Sequence, residues 1–233
     1  MLIPITRQKF EQMVPVLATG LQYRYYWGKF RDFLRRLLIS LIAVVVILIL
    51  ALILGSGFAP FRVLFEITAG LYWLWGPVYW ASMRNLKMRR YAYSGFWQGR
   101  IEDVFVTEEL IGTEEQVNQR GELVIVEHRE RRLNLEVEDK TGFMSQLQVP
   151  LQSLHKNISP GQIAQMLVMS NQPDLGKIAQ TSDIYIPSLD IWVNDYPYLQ
   201  RDVFVQVSRK LRDEERSYSR QRPRSSRRRR NYY

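Results

Sequence analysis

Eighteen consecutive residues, Leu37–Leu54, contain Ser40 as their only polar member. A helix of about 20 apolar residues spans the ~30 Å hydrocarbon core of a bilayer. Arg31, Arg35 and Arg36 stand directly before this run. A second apolar, aromatic-rich stretch follows and ends in Arg84, Lys87, Arg89 and Arg90. The pattern predicts two close-spaced crossings, 37–54 and 61–83, joined by the Gly55–Pro60 turn, with cations at both outer flanks. Thirty-six residues precede the first run and a second span follows it, so a cleaved signal peptide is not the expected reading.

The two predicted spans differ in character. The first has no polar face, which makes it a plain lipid-facing anchor. The second carries Trp73, Trp75 and Trp80 among other rings, and Gly76-Pro77 is expected to kink it. Arg62 and Glu66 stand four residues apart at its start, on one helix face. Two readings are open for them: a pair that satisfies itself near the far interface, or a docking contact for a partner's membrane helix. Together with Trp73, Trp75 and Trp80 they form the candidate intramembrane contact.

Orientation follows from loop charge. Residues 1–36 hold seven Lys/Arg and residues 84–90 hold four, whereas the turn 55–60 holds none. The positive-inside rule then places both termini in the cytoplasm. Arg31, Arg35, Arg36, Arg84, Lys87, Arg89 and Arg90 become candidate contacts for anionic headgroups. Within Leu21–Arg36 the mixture of Tyr, Trp and Phe with basic residues fits an interfacial helix or the ordinary lead-in of the first span.

The net charge of +9 suggests nucleic acid until it is located. Residues 209–233 hold ten Arg and one Lys against three acids, so the body before them is nearly neutral. From Ser217 onward the chain lacks core-forming residues and is expected to be disordered. The run Arg227, Arg228, Arg229 and Arg230 can meet anionic lipid, an acidic protein surface or ribosomal RNA, or act as a passive tail. Nucleic acid is the less favoured partner, because only Tyr232 and Tyr233 offer rings beside it.

Past Tyr91 the period changes to two. Arg100–Thr107, Glu122–Glu127 and Leu133–Val137 alternate apolar with polar residues, and Asp139–Gly142 reads as a hairpin turn into Phe143–Val149. Asn118–Gly121 is a second turn signal. Ser159-Pro160 is expected to open a helix through Ile163, Met166, Leu167 and Met169. Short strands are expected at Asp183–Ile186 and Asp190–Val193, then a helix over Leu199–Leu211. N-terminal to the spans, residues 5–18 read as a short helix capped by Thr6 and ended by Gly20.

The expected fold is therefore an α+β membrane protein. It comprises N-terminal cytoplasmic and interfacial helices (1–36), a transmembrane hairpin (37–83), a cytoplasmic β-rich domain (91–212) and a disordered Arg-rich tail (213–233). The domain is a small antiparallel barrel, or resembles a pleckstrin-homology domain, with one or two helices. Little in the sequence suggests chemistry. There is no Cys and only His128 and His155, so thiolate and His-rich metal sites are excluded. Glu108-Glu109 and Glu114-Glu115 are expected in turns as a solvated face, and His128 in an exposed turn. No nucleophile elbow or phosphate loop occurs. No cofactor and no small-molecule substrate is expected.

The segments Ile3–Gln12, Tyr25–Phe30 and Tyr93–Arg100 resemble a family of uncharacterised cyanobacterial membrane proteins, some labelled phosphate ABC transporter permease. The resemblance covers most of the chain except the tail and implies a plasma or thylakoid membrane location. A permease of that class needs several more spans and a coupling helix, so the label does not fit two predicted spans. The expected function is a membrane-anchored, non-enzymatic interaction or assembly protein; the alternative is an accessory subunit of a membrane transporter.

Overall fold

Tyr93–Val117 (β2) is the strand on which the body is arranged in this computed structural model, which describes residues 1–54, 59–117 and 123–221. One edge of β2 pairs with Ile163–Ser170 (β5) from Tyr93↔Ser170 to Arg100↔Ile163. Its other edge is shared. Leu2–Ile5 (β1) pairs from Leu2↔Trp97 to Ile5↔Ser94, and Leu123–Glu138 (β3) takes over from Arg100↔Glu138 to Val117↔Leu123. The sheet continues through Met144–Pro150 (β4) on β3. On the far side Ile178–Thr181 (β6) and Ile184–Ile186 (β7) lie on β5, and Ile191–Val193 (β8) on β7. All pairings are antiparallel. The strand order β4-β3-β2-β5-β7-β8 is an open path rather than the ring of a closed barrel.

Alternation along β2 and β5 divides the interior into two cores. Trp97, Ile101, Met166 and Val168 join Leu135, Val137, Val149 and Ile184 on one face. Phe96, Leu167 and Met169 face the other way. There they meet Phe10 and Met13 of Arg7–Met13 (α1), Met88, and Phe204 of the C-terminal helix Arg201–Gln221 (α6). A strand buried on both faces reads as a continuous apolar run. That is why 163–169, expected as a helix, is the strand β5: its Met and Leu positions satisfy a helical spacing as readily as a two-sided burial. Ser159–Gln162 is a turn, with Gly161 at φ +86° and its N–H donated to the Ile101 carbonyl.

Gly99 is a position where no side chain fits. A Cβ there would lie 2.3 Å from the Glu138 carbonyl oxygen and 2.2 Å from the Trp97 ring. The expected turn at Asp139–Gly142 is present, with Gly142 at φ +83° and its N–H donated to the Asp139 carbonyl. The expected Asn118–Gly121 turn lies outside the described residues. The strands on either side of it are much longer than the alternation suggested. Beyond Thr107↔Arg132 they continue as a two-stranded arm, because β4 stops at Pro150 opposite Arg132. Glu108, Glu109, Glu114, Glu115 and His128 accordingly lie within strands, not turns. Glu109 pairs with Arg132 at 2.7 Å, and Glu108 stands in register with Arg131. Period-two apolarity fades on the arm because these cross-strand charge pairs replace it.

The helices before β2 are Gly20–Trp27 (α2), Phe30–Leu54 (α3), Ala59–Gly70 (α4) and Tyr72–Arg89 (α5). Gly20 does not end a helix; it begins α2, which Thr19 caps through a reciprocal exchange with Gln22. The helix expected over 5–18 is shorter, and Thr6 precedes it without a side-chain cap bond. Residues before it form β1, so residues 1–36 are not a unit separate from the β-rich body. At the other end α6 runs to Gln221, which corrects the expectation of disorder from 213. Residues 222–233, including Arg227–Arg230, lie outside the described residues.

Among the described residues one helix, α3, is long and apolar enough to cross a membrane. The stretch 61–83, expected as one span, is divided between α4 and α5 at Gly70–Leu71, where Leu71 has ψ near 7°. The break precedes Gly76-Pro77, and α5 passes through Pro77 uninterrupted. Pro77 lies near the start of α5, so its missing donor costs one early carbonyl bond. α4 and the first half of α5 pack back along α3: Gly70 lies against Val44, and Trp73 against Phe33.

Candidate functional site

The break in the returning arm frees backbone groups, and two side chains take them up. The buried Ser40 hydroxyl accepts the Trp73 backbone N–H at 3.2 Å. The Trp75 indole N–H donates to the Thr68 carbonyl at 2.8 Å. Interrupted helices persist in apolar surroundings only where such partners exist. The one polar residue of the 37–54 run is thus the acceptor that the break requires.

Below the break a collar of polar and aromatic contacts joins the helices to the body. Gln22 and Asn85, both fully buried, exchange amide hydrogen bonds of 3.0 and 2.8 Å. Gln22 also donates to the Pro197 carbonyl at 2.8 Å. Arg84 donates to the Tyr198 hydroxyl at 2.8 Å and lies 4.2 Å over the Tyr196 ring, which Tyr25 and Tyr26 meet edge-on. Beneath this loop the buried Asp183 accepts the Tyr198 backbone N–H at 2.8 Å and the Asn194 amide at 3.2 Å. Burial outweighs those bonds and pushes its carboxyl up to about 6. Burial likewise raises the Tyr196 phenol.

The seven cations expected at headgroups therefore divide. Arg36 donates to the Tyr26 carbonyl, and to the Trp27 carbonyl at 2.6 Å, which caps the end of α2. Arg89 binds the Val14 carbonyl at 2.8 Å and Glu11 at 3.0 Å, closing the end of α1. Arg84 serves the collar. Arg31, Arg35, Lys87 and Arg90 stay exposed and make no ion pair with any described residue.

The intramembrane candidates also divide. Arg62 and Glu66 close on each other at 2.7 Å. Trp73 is packed between Trp27 and Phe33. Trp75 and Trp80 keep exposed faces, with the Trp80 indole donating to the Tyr72 hydroxyl at 3.2 Å. Ile42, Leu52 and Ile53 of α3 and Val63, Leu64 and Ile67 of α4 are all more than half exposed. The arm of β2 and β3 ends in a further apolar group, with Val117, Leu123 and Ile125 at 66, 72 and 71 % exposure. Among the described residues no group of His, Asp and Glu could hold a metal ion.

A family model matches residues 3–217, from β1 into α6. The chain belongs to DUF8619, a family of unknown function. The match covers β1, the helices and the whole sheet, so helices and body together are the family's unit, and the Arg227–Arg230 run lies outside it. No curated protein and no solved structure matches the chain. Gln22, Asn85, Asp183 and Ser40 were not singled out by sequence reasoning. Ser40 had a signal, as a lone hydroxyl in an aliphatic run. The others had none, since their partners lie 63 residues away for Gln22 and Asn85 and 15 for Asp183 and Tyr198.

Proposed function

We propose that this protein is an integral membrane interaction or assembly protein without enzymatic activity, whose β-rich body is held at the cytoplasmic surface by a helical hairpin. The observation that carries the membrane part is the exposed apolar surface shared by α3 and α4, ending at the aromatic and basic collar. An apolar surface of that extent is tolerated in lipid, not in water. At 1.5 Å per residue the 25-residue α3 is about 37 Å long, and α4 with the first half of α5 covers a similar rise in two pieces. Exposed Arg31, Arg35, Lys87 and Arg90 share the collar end of the bundle, which supports a cytoplasmic location for the body. The arm is the partner-facing element in this reading, because an exposed apolar tip on a charge-paired two-stranded shaft has no role in the body's own cores.

The chain has no Cys, which permits a clean test. Single variants Ser56→Cys and Thr141→Cys are expressed in intact cells and treated with an impermeant maleimide. Labelling of Ser56→Cys alone is expected; labelling of both, or release of the protein by an alkaline carbonate wash, refutes the anchoring. Crosslinking through the arm in native membranes is expected to capture a discrete protein partner, and its loss with Val117→Asp and Ile125→Asp locates the contact. The transporter-subunit alternative rests on Arg62 and Glu66, and their closed pair leaves neither charge free for a transported ion.

A further inference from the structure

Two cavities of about 410 and 370 Å³ adjoin at the collar and share Tyr26 and Trp80 as lining residues. The larger lies between α2, α5 and β6, and its lining includes Arg84, Lys87 and Tyr198. The smaller lies between α2, α3 and α5 and reaches Ile39, the first apolar turn of α3. We propose that together they seat one anionic phospholipid of the bordering leaflet, with its phosphate against Lys87 and its acyl chains led past Trp80 and Ile39 onto α3.

The inference rests on the membrane reading above and adds a specific ligand to it. Three observations converge. Lys87 is exposed, lines the larger cavity and has no ion-pair partner among the described residues, while Arg84 beside it is fixed by the Tyr198 hydroxyl, the Tyr196 ring and the Asp195 carboxylate at 3.7 Å. The cavity thus leaves the Lys87 ammonium without a counter-charge in its lining, and a charge-assisted hydrogen bond from it to a phosphate oxygen is of the strong kind. The smaller cavity has a carboxylate in its wall: Asp32 sits there with Arg35 and Arg36, and accepts the Lys29 backbone N–H at 2.8 Å. The larger cavity has no carboxylate in its lining, so it takes the anion and leaves the smaller to glycerol and chain. Trp80 is 51 % exposed and Ile39 43 %, and they form a continuous apolar ramp from the first cavity to the lipid-facing helix. An indole at headgroup depth suits this step, since its ring is apolar and its edge polar.

The test uses the full chain in dodecyl maltoside micelles, with retained lipid counted by native mass spectrometry. Dioleoylphosphatidylglycerol and dioleoylphosphatidylcholine are added in parallel, each with and without 10 mM inorganic phosphate. One phosphatidylglycerol per chain is expected to survive and phosphatidylcholine to be lost. Lys87→Gln should weaken retention about five-fold, the ratio one Lys–headgroup contact gives. Arg90→Gln, which removes the same charge three residues away but lines neither cavity, should change it less than two-fold. Equal retention of the two lipids, an equal effect of Arg90→Gln, or displacement by inorganic phosphate would each overturn the seat. Carbonate resistance of the wild type and of Lys87→Gln, measured alongside, separates the two claims: protein washed from membranes ends the anchoring itself, whereas resistant protein without lipid selectivity ends only the seat.

Discussion

Replacing Gln22 with Leu keeps the side-chain size and removes the buried amide contacts that tie α2 to α5 and to the 194–198 loop. Five hydrogen bonds go: two with the Asn85 amide, one to the Pro197 carbonyl, a longer one of 3.4 Å to the part-buried Tyr198 carbonyl and one from the Thr19 backbone N–H. Thr19 can turn to water, but both ends of the Asn85 amide and the Pro197 oxygen are stranded in a dry interior. At the low end of the cost of an unsatisfied buried group, the three together amount to about 3 kcal/mol. For a chain of this size that corresponds to a fall of roughly 6–12 °C in Tm. Asn85→Leu strands less, because the Gln22 amide keeps Pro197 and Thr19, and should cost about 2 kcal/mol. The double variant strands only the Pro197 carbonyl in the dry interior, so it should be no worse than Asn85→Leu alone. The expected coupling is therefore about 3 kcal/mol or more, well above the few tenths seen for independent sites. Heat unfolding of the four proteins in detergent, followed by tryptophan fluorescence, measures it. Losses that simply add would refute the claim that the two amides satisfy each other.

Ser40→Ala should lower Tm by a few degrees, since the stranded Trp73 N–H costs about 1 kcal/mol, near the mean for polar contacts between membrane helices; Ser40→Thr, which keeps the hydroxyl, should restore most of it. Asp183 gives a pH signature. Its folded value of about 6 lies above the ordinary 3.8, so the folded state holds its proton longer and stability falls as pH rises from about 4 to 6. The gap amounts to about 3 kcal/mol, and Asp183→Asn should flatten that slope and raise Tm at pH 7.5; parallel Tm curves for the two proteins would contradict it. Gly99→Ala drives a methyl into the Glu138 carbonyl and should cost more than about 2 kcal/mol, whereas Gly112→Ala, with open space around it, should leave Tm within about 2 °C.

Legibility in the sequence followed the range of the interactions. Leu37–Leu54 announces a helix by composition alone, and α3 follows it while starting seven residues earlier. Leu133, Leu135 and Val137 alternate against one core, so their strand was readable, and Asp139–Gly142 carries its turn chemistry locally. β5 was not readable as a strand, because Met166 and Val168 serve one core while Leu167 and Met169 serve the other. The arm was misread for a related reason: Glu109 looks like a turn residue until Arg132, 23 residues later, is placed beside it. In the returning helix Gly76-Pro77 drew attention by its local chemistry. The actual break at Gly70–Leu71 depends on Ser40 across the interface. Of the seven cations expected at headgroups, three have partners within the fold. Arg36, Arg84 and Arg89 are spent on carbonyls and rings that folding alone brings near.

The pairing of β1 with β2 carries a consequence for how the protein is made. From the viewpoint of the sheet, residues 6–92 are one long excursion between adjacent strands, and the helices are its content. A fragment beginning at Tyr93 would lose an edge strand and α1, uncovering Phe96, Leu167 and Met169, so the body is not a removable cargo on an anchor. Nor can it close early during synthesis. β1 has no partner strand until Trp97 has been made, and the α1 side chains lack their full core until β5 and α6 follow. Once closed, the β1–β2 ladder, with Arg7 on the Arg89 and Tyr91 carbonyls, holds the start of α1 and the end of α5 at a fixed distance.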